Sequence, residues 1–184
     1  MKIQNSSALG SDQTAGFSLI ELMVTIAILA ILLTLAAPSF QRLIATNRMA
    51  GSANELLGSM QLGRNEALKR RIPVSLCPST DGVTCGGNWA DGWIVTVDDS
   101  VVGTGTVSVD QVLRVWDGLR GDLEFDDPGG LPTFVRFLPD GRVDAAGGTF
   151  PYDFQVRLPS CRFNVGREVE IVRTGRSSVR EITC

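Results

Sequence analysis

Residues 16–38 read GFSLIELMVTIAILAILLTLAAP. Within them, Phe17 to Ala37 is a run of 21 residues whose only charge is Glu21. At about 1.5 Å per residue, a helix of that length covers about 31 Å, close to the hydrocarbon thickness of a bilayer. A carboxylate in such a helix costs roughly 2.5–3.5 kcal/mol at the bilayer centre and less near an end. Something must offset that cost, so Glu21 reads as a functional residue with a partner elsewhere. A secretory signal peptide has a shorter apolar core followed by a small-residue cleavage site. Ala36-Ala37 is the nearest equivalent here, but the run is too long and the helical pattern continues past Pro38.

Beyond Pro38 the pattern predicts an amphipathic stem to about Arg71. Ala50, Ala53, Leu57, Met60, Arg64 and Ala67 recur at three- and four-residue intervals, with Leu56 and Leu68 beside them. Arg64 is the one member of this stripe that is not apolar. Pro38 is expected to kink the helix or loosen a turn, because it lacks an amide donor and crowds the preceding turn. Pro73 ends the stem, since a residue before proline avoids the α region. Membrane run and stem together make about 55 residues, roughly 80 Å if straight. No compact small domain needs a helix so long. The face of residues 53–71 is expected to pack on the chain's own head.

From Val74 the period shifts towards two. The expected strands are Val74–Cys77, Trp93–Asp98, Gln111–Trp116, Thr133–Leu138, Phe154–Leu158, Cys161–Val165, Glu168–Arg173 and Ser178–Thr183. Pro139-Asp140-Gly141 predicts a tight turn, with the Asp side chain bonding its own backbone and Gly accepting positive φ. Loops are expected at 81–88 and 126–130, and Gly103-Thr104-Gly105-Thr106 reads as a turn rather than a phosphate loop. The fold class is α+β: a long N-terminal α-helix, transmembrane half plus amphipathic stem, followed by a small antiparallel β-sheet or sandwich head. Trp89 and Trp93 read as core aromatics.

Cys77, Cys85, Cys161 and Cys184 all follow the membrane run. An even count in this pattern suggests disulfides and an oxidising compartment. Three pairings are possible, and Cys77–Cys85 with Cys161–Cys184 is favoured because each closes a short loop. Buried free thiols are the alternative. Zinc does not fit, since the spacing is wrong and the chain has no His at all. The missing His also removes Ser-His-Asp and Cys-His chemistry and the commonest general base. No enzyme activity and no cofactor are expected. The charges flanking the run, Lys2 before it and Arg42 and Arg48 after it, leave its orientation open, and the cysteines indicate it better.

The sixteen residues before Phe17 are small and polar, with one Lys and one Asp, and read as a disordered leader. The junction Gly16-Phe17-Ser18-Leu19-Ile20-Glu21 resembles the class III leader motif of type IV pilins and type II secretion pseudopilins. The resemblance implies cleavage by prepilin peptidase between Gly16 and Phe17, N-methylation of Phe17, and a role for Glu21 in charge pairing during assembly. It implies no catalytic residues. The head runs 71–79 (RIPVSLCPS), 89–95 (WADGWIV) and 137–142 (FLPDGR) resemble the GspH/FimT/FimU branch. The implied organisation is a leader at 1–16, a transmembrane and filament-core helix at 17–38, a stem at 39–71 and a periplasmic head at 72–184. The implied role is a minor pilin or pseudopilin in the inner membrane that primes or caps a filament with other minor and major pilins or pseudopilins.

The net charge of −3 hides an asymmetry. Residues 72–153 carry 13 acids and four arginines, a net of −9, while 154–184 carry six arginines and three glutamates, a net of +3. Minor pilins of the FimT kind bind DNA through a Gly-Arg-x-Arg element, and the nearest match here is Gly175-Arg176 with Arg173 and Arg180. A pilus-tip DNA-binding subunit is therefore the alternative function. The plainer expectation is that these arginines pair with nearby acids. The acidic stretch Asp122–Asp127 matches no calcium-loop spacing, and no metal is expected.

Overall fold

A computed structural model describes residues 16–126 and 129–183. Most of the expected leader, Asp127 and Cys184 lie outside the described residues. Helix α1 spans Leu19–Arg70 and carries Pro38 in its interior. The chain divides into two units, one ending at Gln41 and the other beginning at Arg42.

In the first unit, every residue from Gly16 to Gln41 is exposed. The most hydrophobic window of this helix has a mean hydropathy of 2.6, long and apolar enough to cross a membrane, and none of it is buried. Its two threonines turn inward on the backbone: Thr25 Oγ1 donates to Leu22 O at 2.8 Å and Thr34 Oγ1 to Ile31 O at 2.7 Å. Each hydroxyl is thus satisfied without water, as an apolar surrounding requires.

The second unit is built on the rest of α1. Met49, Ser52, Ala53, Leu56, Ser59, Met60, Gly63 and Ala67 form its buried seam. The true seam is turned slightly from the expected stripe. Leu68 is exposed and Ala50 half-buried, while Ser52, Ser59 and Gly63 lie inside. Small residues belong there because the sheet comes close. A Cβ on Gly63 would lie 3.1 Å from the ring of Phe137. Ser59 Oγ donates to Leu56 O at 2.7 Å, so its burial strands no donor.

Among the described residues eight strands follow: β1 Val74–Pro78, β2 Gly92–Asp98, β3 Val109–Asp117, β4 Glu124–Asp126, β5 Val135–Phe137, β6 Tyr152–Arg157, β7 Gly166–Ile171 and β8 Ser177–Ile182. They make two four-stranded sheets, ordered β3-β2-β1-β5 and β4-β6-β7-β8. All pairings between them are antiparallel. One core joins the α1 seam to Val74, Leu76, Trp93, Val95, Phe137, Phe154, Val156 and Val169. Trp89 and Trp93 are core residues, as expected, set among Phe125 and Phe154 with ring centroids 5.0–6.0 Å apart.

β1 and β2 are buried on both faces. Cys77 and Ile94 pack with Phe134 in a second, smaller core, with Cys85, Val107 and Val109 at its edge. The Pro139-Asp140-Gly141 turn forms as expected, with Gly141 at φ +79° and Asp140 Oδ1 accepting from Arg142 N at 3.0 Å.

Two expectations fail. Cys161–Val165 is not a strand: Pro159–Asn164 is an irregular turn, with Ser160, Cys161, Phe163 and Asn164 all at positive φ. Pro159 and Asn164 are turn-forming residues, and the backbone reverses here before β7. Asp126 was expected in a loop, but Glu124–Asp126 is the edge strand β4. Its pairing with β6 sets Glu124 opposite Arg157 and turns Phe125 towards the core.

Candidate functional site

At the N-terminal end, Gly16, Phe17 and Ser18 precede the helix and α1 begins at Leu19. Ser18 is therefore the N-cap residue and Glu21 sits at the third helical position. Ser18 Oγ accepts from Glu21 N at 3.3 Å, and Ser18 O accepts from Leu22 N at 3.1 Å. Ser-x-x-Glu is the capping-box pattern, in which the hydroxyl satisfies an orphan amide of the first turn and the acid faces the positive end of the helix dipole. The pattern is legible in the sequence as Ser18-Leu19-Ile20-Glu21. A Cβ added at Gly16 would meet nothing within 4 Å. Nothing in the described fold, then, requires glycine at position 16.

In the head, the organising feature is Arg136 on β5, fully buried. All five of its donors are used. Nε donates to Asp98 Oδ2 at 2.7 Å. Nη1 donates to Asp144 Oδ2 at 3.0 Å and to Thr104 O at 3.1 Å. Nη2 donates to Ser100 Oγ at 2.5 Å and to Thr106 O. Asp98 also accepts from Ser75 Oγ at 2.5 Å, Ser100 N at 3.0 Å and Ser108 N at 3.1 Å. Gly103 N donates to Asp144 Oδ2 at 2.9 Å. The Gly103–Thr106 turn is thus a strap fastened by one guanidinium. Burial by itself raises the Asp98 pKa, but bonds from Ser100, Ser75 and Arg136 outweigh it and hold the carboxyl below its usual range. Asp144 behaves alike: burial raises it, and bonds from Gly103 N, Arg136 and Ala146 N bring it down.

Cys77 and Cys85 form a disulfide across the 79–88 loop. Cys161 is also disulfide-bonded, and its expected partner, Cys184, lies outside the described residues. In the same loop Asp81 accepts from Thr84 N and Val83 N, both at 2.8 Å, and from Thr84 Oγ1 at 2.7 Å.

The three arginines singled out for nucleic acid do not stay together. Arg173 and Arg176 flank the β7–β8 turn, and both are exposed. The Arg173 guanidinium lies 5.7 Å from the Phe150 ring centroid. Arg180 instead points along the sheet face, where its Nε donates to Glu168 Oε1 at 2.6 Å and its guanidinium stands 4.0 Å from Glu170. Asp153, Glu168 and Glu170 bring carboxylate oxygens within 4.8 Å of one another, and Arg180 supplies positive charge at that cluster. In the acidic stretch 122–127, Glu124 and Asp126 both pair with Arg157.

A membrane-length exposed helix whose second half is plugged into a two-sheet antiparallel head defines a pilin-like, membrane-anchored subunit. The chain belongs to the family of type II transport protein GspH, whose model matches residues 52–175. The prokaryotic N-terminal methylation motif matches residues 12–37, which implies processing by prepilin peptidase and assembly with other pilins. Crystal structures of the type IV minor pilin FimU of Pseudomonas aeruginosa have a similar fold. One is 23% identical with a TM-score of 0.57, covering 73% of this chain and 90% of that one. A second crystal form is 22% identical with a TM-score of 0.52, covering 71% and 91%. The minor pseudopilin EpsH of the Vibrio cholerae type 2 secretion system is 13% identical with a TM-score of 0.46, covering 74% and 97%. No curated protein matches the chain.

Proposed function

We propose that the chain is a minor pilin or H-type pseudopilin that primes or caps a periplasmic filament. It is held in the inner membrane by residues 17–38 until assembly. Prepilin peptidase cuts between Gly16 and Phe17, and the new Phe17 amine is methylated. Glu21 then meets that amine, on its own chain or a neighbour's, as the helices pack in an apolar core. A desolvated pair of this kind contributes little net energy, but losing one partner leaves a buried charge uncompensated. The observation that carries the reading is the wholly exposed apolar half of α1, capped by Ser18, carrying Glu21 in its first turn, and preceded by a glycine that the described fold does not need.

Intact-mass measurement of the membrane-extracted protein tests it. The expected species starts at Phe17 and carries one added methyl group. Replacing Gly16 should leave the full leader attached. Glu21→Ala should be cut normally yet enter filaments poorly. A mature chain beginning at Met1 or beyond Ala37 would sink the reading.

A further inference from the structure

The single charge in the stem's stripe, Arg64, is held in place by the head. Its Nε donates to Gly141 O at 3.1 Å and its Nη2 to Thr174 O at 3.4 Å. Both acceptors lie in tight turns, and glycine lets those turns close on the guanidinium. Gly175 sits at φ +76°, and a Cβ there would lie 2.0 Å from Gly141 O and 3.0 Å from Arg64 Nε. Beside this fixed cation opens a cleft of about 300 Å³ lined by Gln61, Arg64, Asn65, Gly175, Arg176 and Ser177. Two guanidiniums, two carboxamides and a hydroxyl line it, without one carboxylate. That donor set stands out in a chain whose residues 72–153 carry a net charge of −9.

We propose that this cleft binds an oxyanion, and that its occupant is a carboxylate side chain in an acidic segment of another protein chain. Guanidinium groups held in a fixed orientation suit planar carboxylates, to which they donate paired, charge-assisted hydrogen bonds. The volume lies at the small end of ligand sites, about 300–1,000 Å³, and admits a side chain rather than a long polymer. A nucleic acid strand needs a run of cations along its backbone. Here Arg180 is taken by Glu168, so the cations of the cleft do not extend into such a run. The filament reading supplies the partner, a neighbouring subunit, while anion binding itself does not depend on it. The mass measurement above and the titration below therefore fail separately.

The test titrates the full-length chain in nonionic detergent with a short polyglutamate peptide, with inorganic phosphate and with a single-stranded oligonucleotide, each at low and high salt. The peptide should bind most tightly and weaken with salt. Arg176→Gln, at an exposed position, should weaken it by about tenfold, as loss of a charge-assisted bond predicts. Gln61→Glu, also exposed, sets a carboxylate in the cleft and should abolish binding while the circular dichroism spectrum stays unchanged. Arg120→Gln, away from the cleft, should bind like the unaltered chain. Equal peptide binding by Arg176→Gln, Gln61→Glu and the unaltered chain would overturn the proposal. Tighter binding of phosphate or of the oligonucleotide would overturn its choice of occupant.

Discussion

Along α1, residues Leu19–Gln41 and Arg42–Arg70 share one backbone conformation and meet their surroundings in opposite ways. The first stretch is apolar on every side apart from Glu21 in its first turn and a few uncharged polar residues, and all of its side chains are exposed. The second is mixed, and buries one narrow seam of mostly small and medium residues against two sheets. The greater hydrophobicity belongs to the stretch with the less burial. Hydrophobicity alone therefore does not place a residue in a core; a face with somewhere to go does. The first stretch must find its apolar surroundings outside the chain, and the second makes them from its own head.

Substitutions that strike one half and spare the other test that division, with unfolding of the detergent-solubilised chain as the readout. The largest effect should come from Arg136→Ala, which strands Asp98 in the interior. Breaking a buried ion pair by removing one partner costs about 3–5 kcal/mol. Leu56→Ala, in the seam, should cost about 2–5 kcal/mol. Leu32→Ala removes the same atoms from the exposed half and should change head stability by less than about 0.5 kcal/mol. If the two leucine variants lose equal stability, the contrast between the halves is wrong.

Acid should act on the head alone. Asp98 and Asp144 have depressed folded-state pKa values. Their contribution is complete above the unfolded-state pKa, about 3.9, and is lost as pH falls further, through the folded-state value. The denaturant midpoint should therefore hold down to about pH 4 and drop below it, and Asp144→Asn should drop less. A midpoint that does not move would contradict the network's electrostatic role. The smallest effect is local to the other half. Ser18→Ala should weaken the helix start by about 1 kcal/mol and increase amide exchange at Glu21, leaving the head midpoint in place.

Much of this architecture is legible in the sequence. The 21-residue run, the end of the stem before Pro73 and the Pro139-Asp140-Gly141 turn are written in neighbouring residues. The disulfide across 77–85 closes a loop short enough to read directly. The capping box is equally local, with Ser18 and Glu21 three residues apart in one helix turn. The phase of the seam was harder. Ser52, Ser59 and Gly63 look like surface residues until the closeness of Phe137 makes small size the requirement. β4 has no apolar alternation to announce it, and exists because β6 offers an edge and Arg157 gathers its two carboxylates.

The sequence by itself determined the membrane-length helix, its capped start, the β-rich class of the head and the family resemblance. Each depends on residues within a turn or two of one another, where chain connectivity guarantees the contact. Only the tertiary structure decided the phase of the stem's buried seam, that Arg136 meets Asp98 38 residues away, and that Arg64 is held by a turn 77 residues along the chain. It also took Arg180 from the basic strip and gave it to Glu168. A charged side chain has many potential partners in a sequence, and folding selects among them through the backbone that carries each one, so pairings at long separation appear only once the sheets are in place.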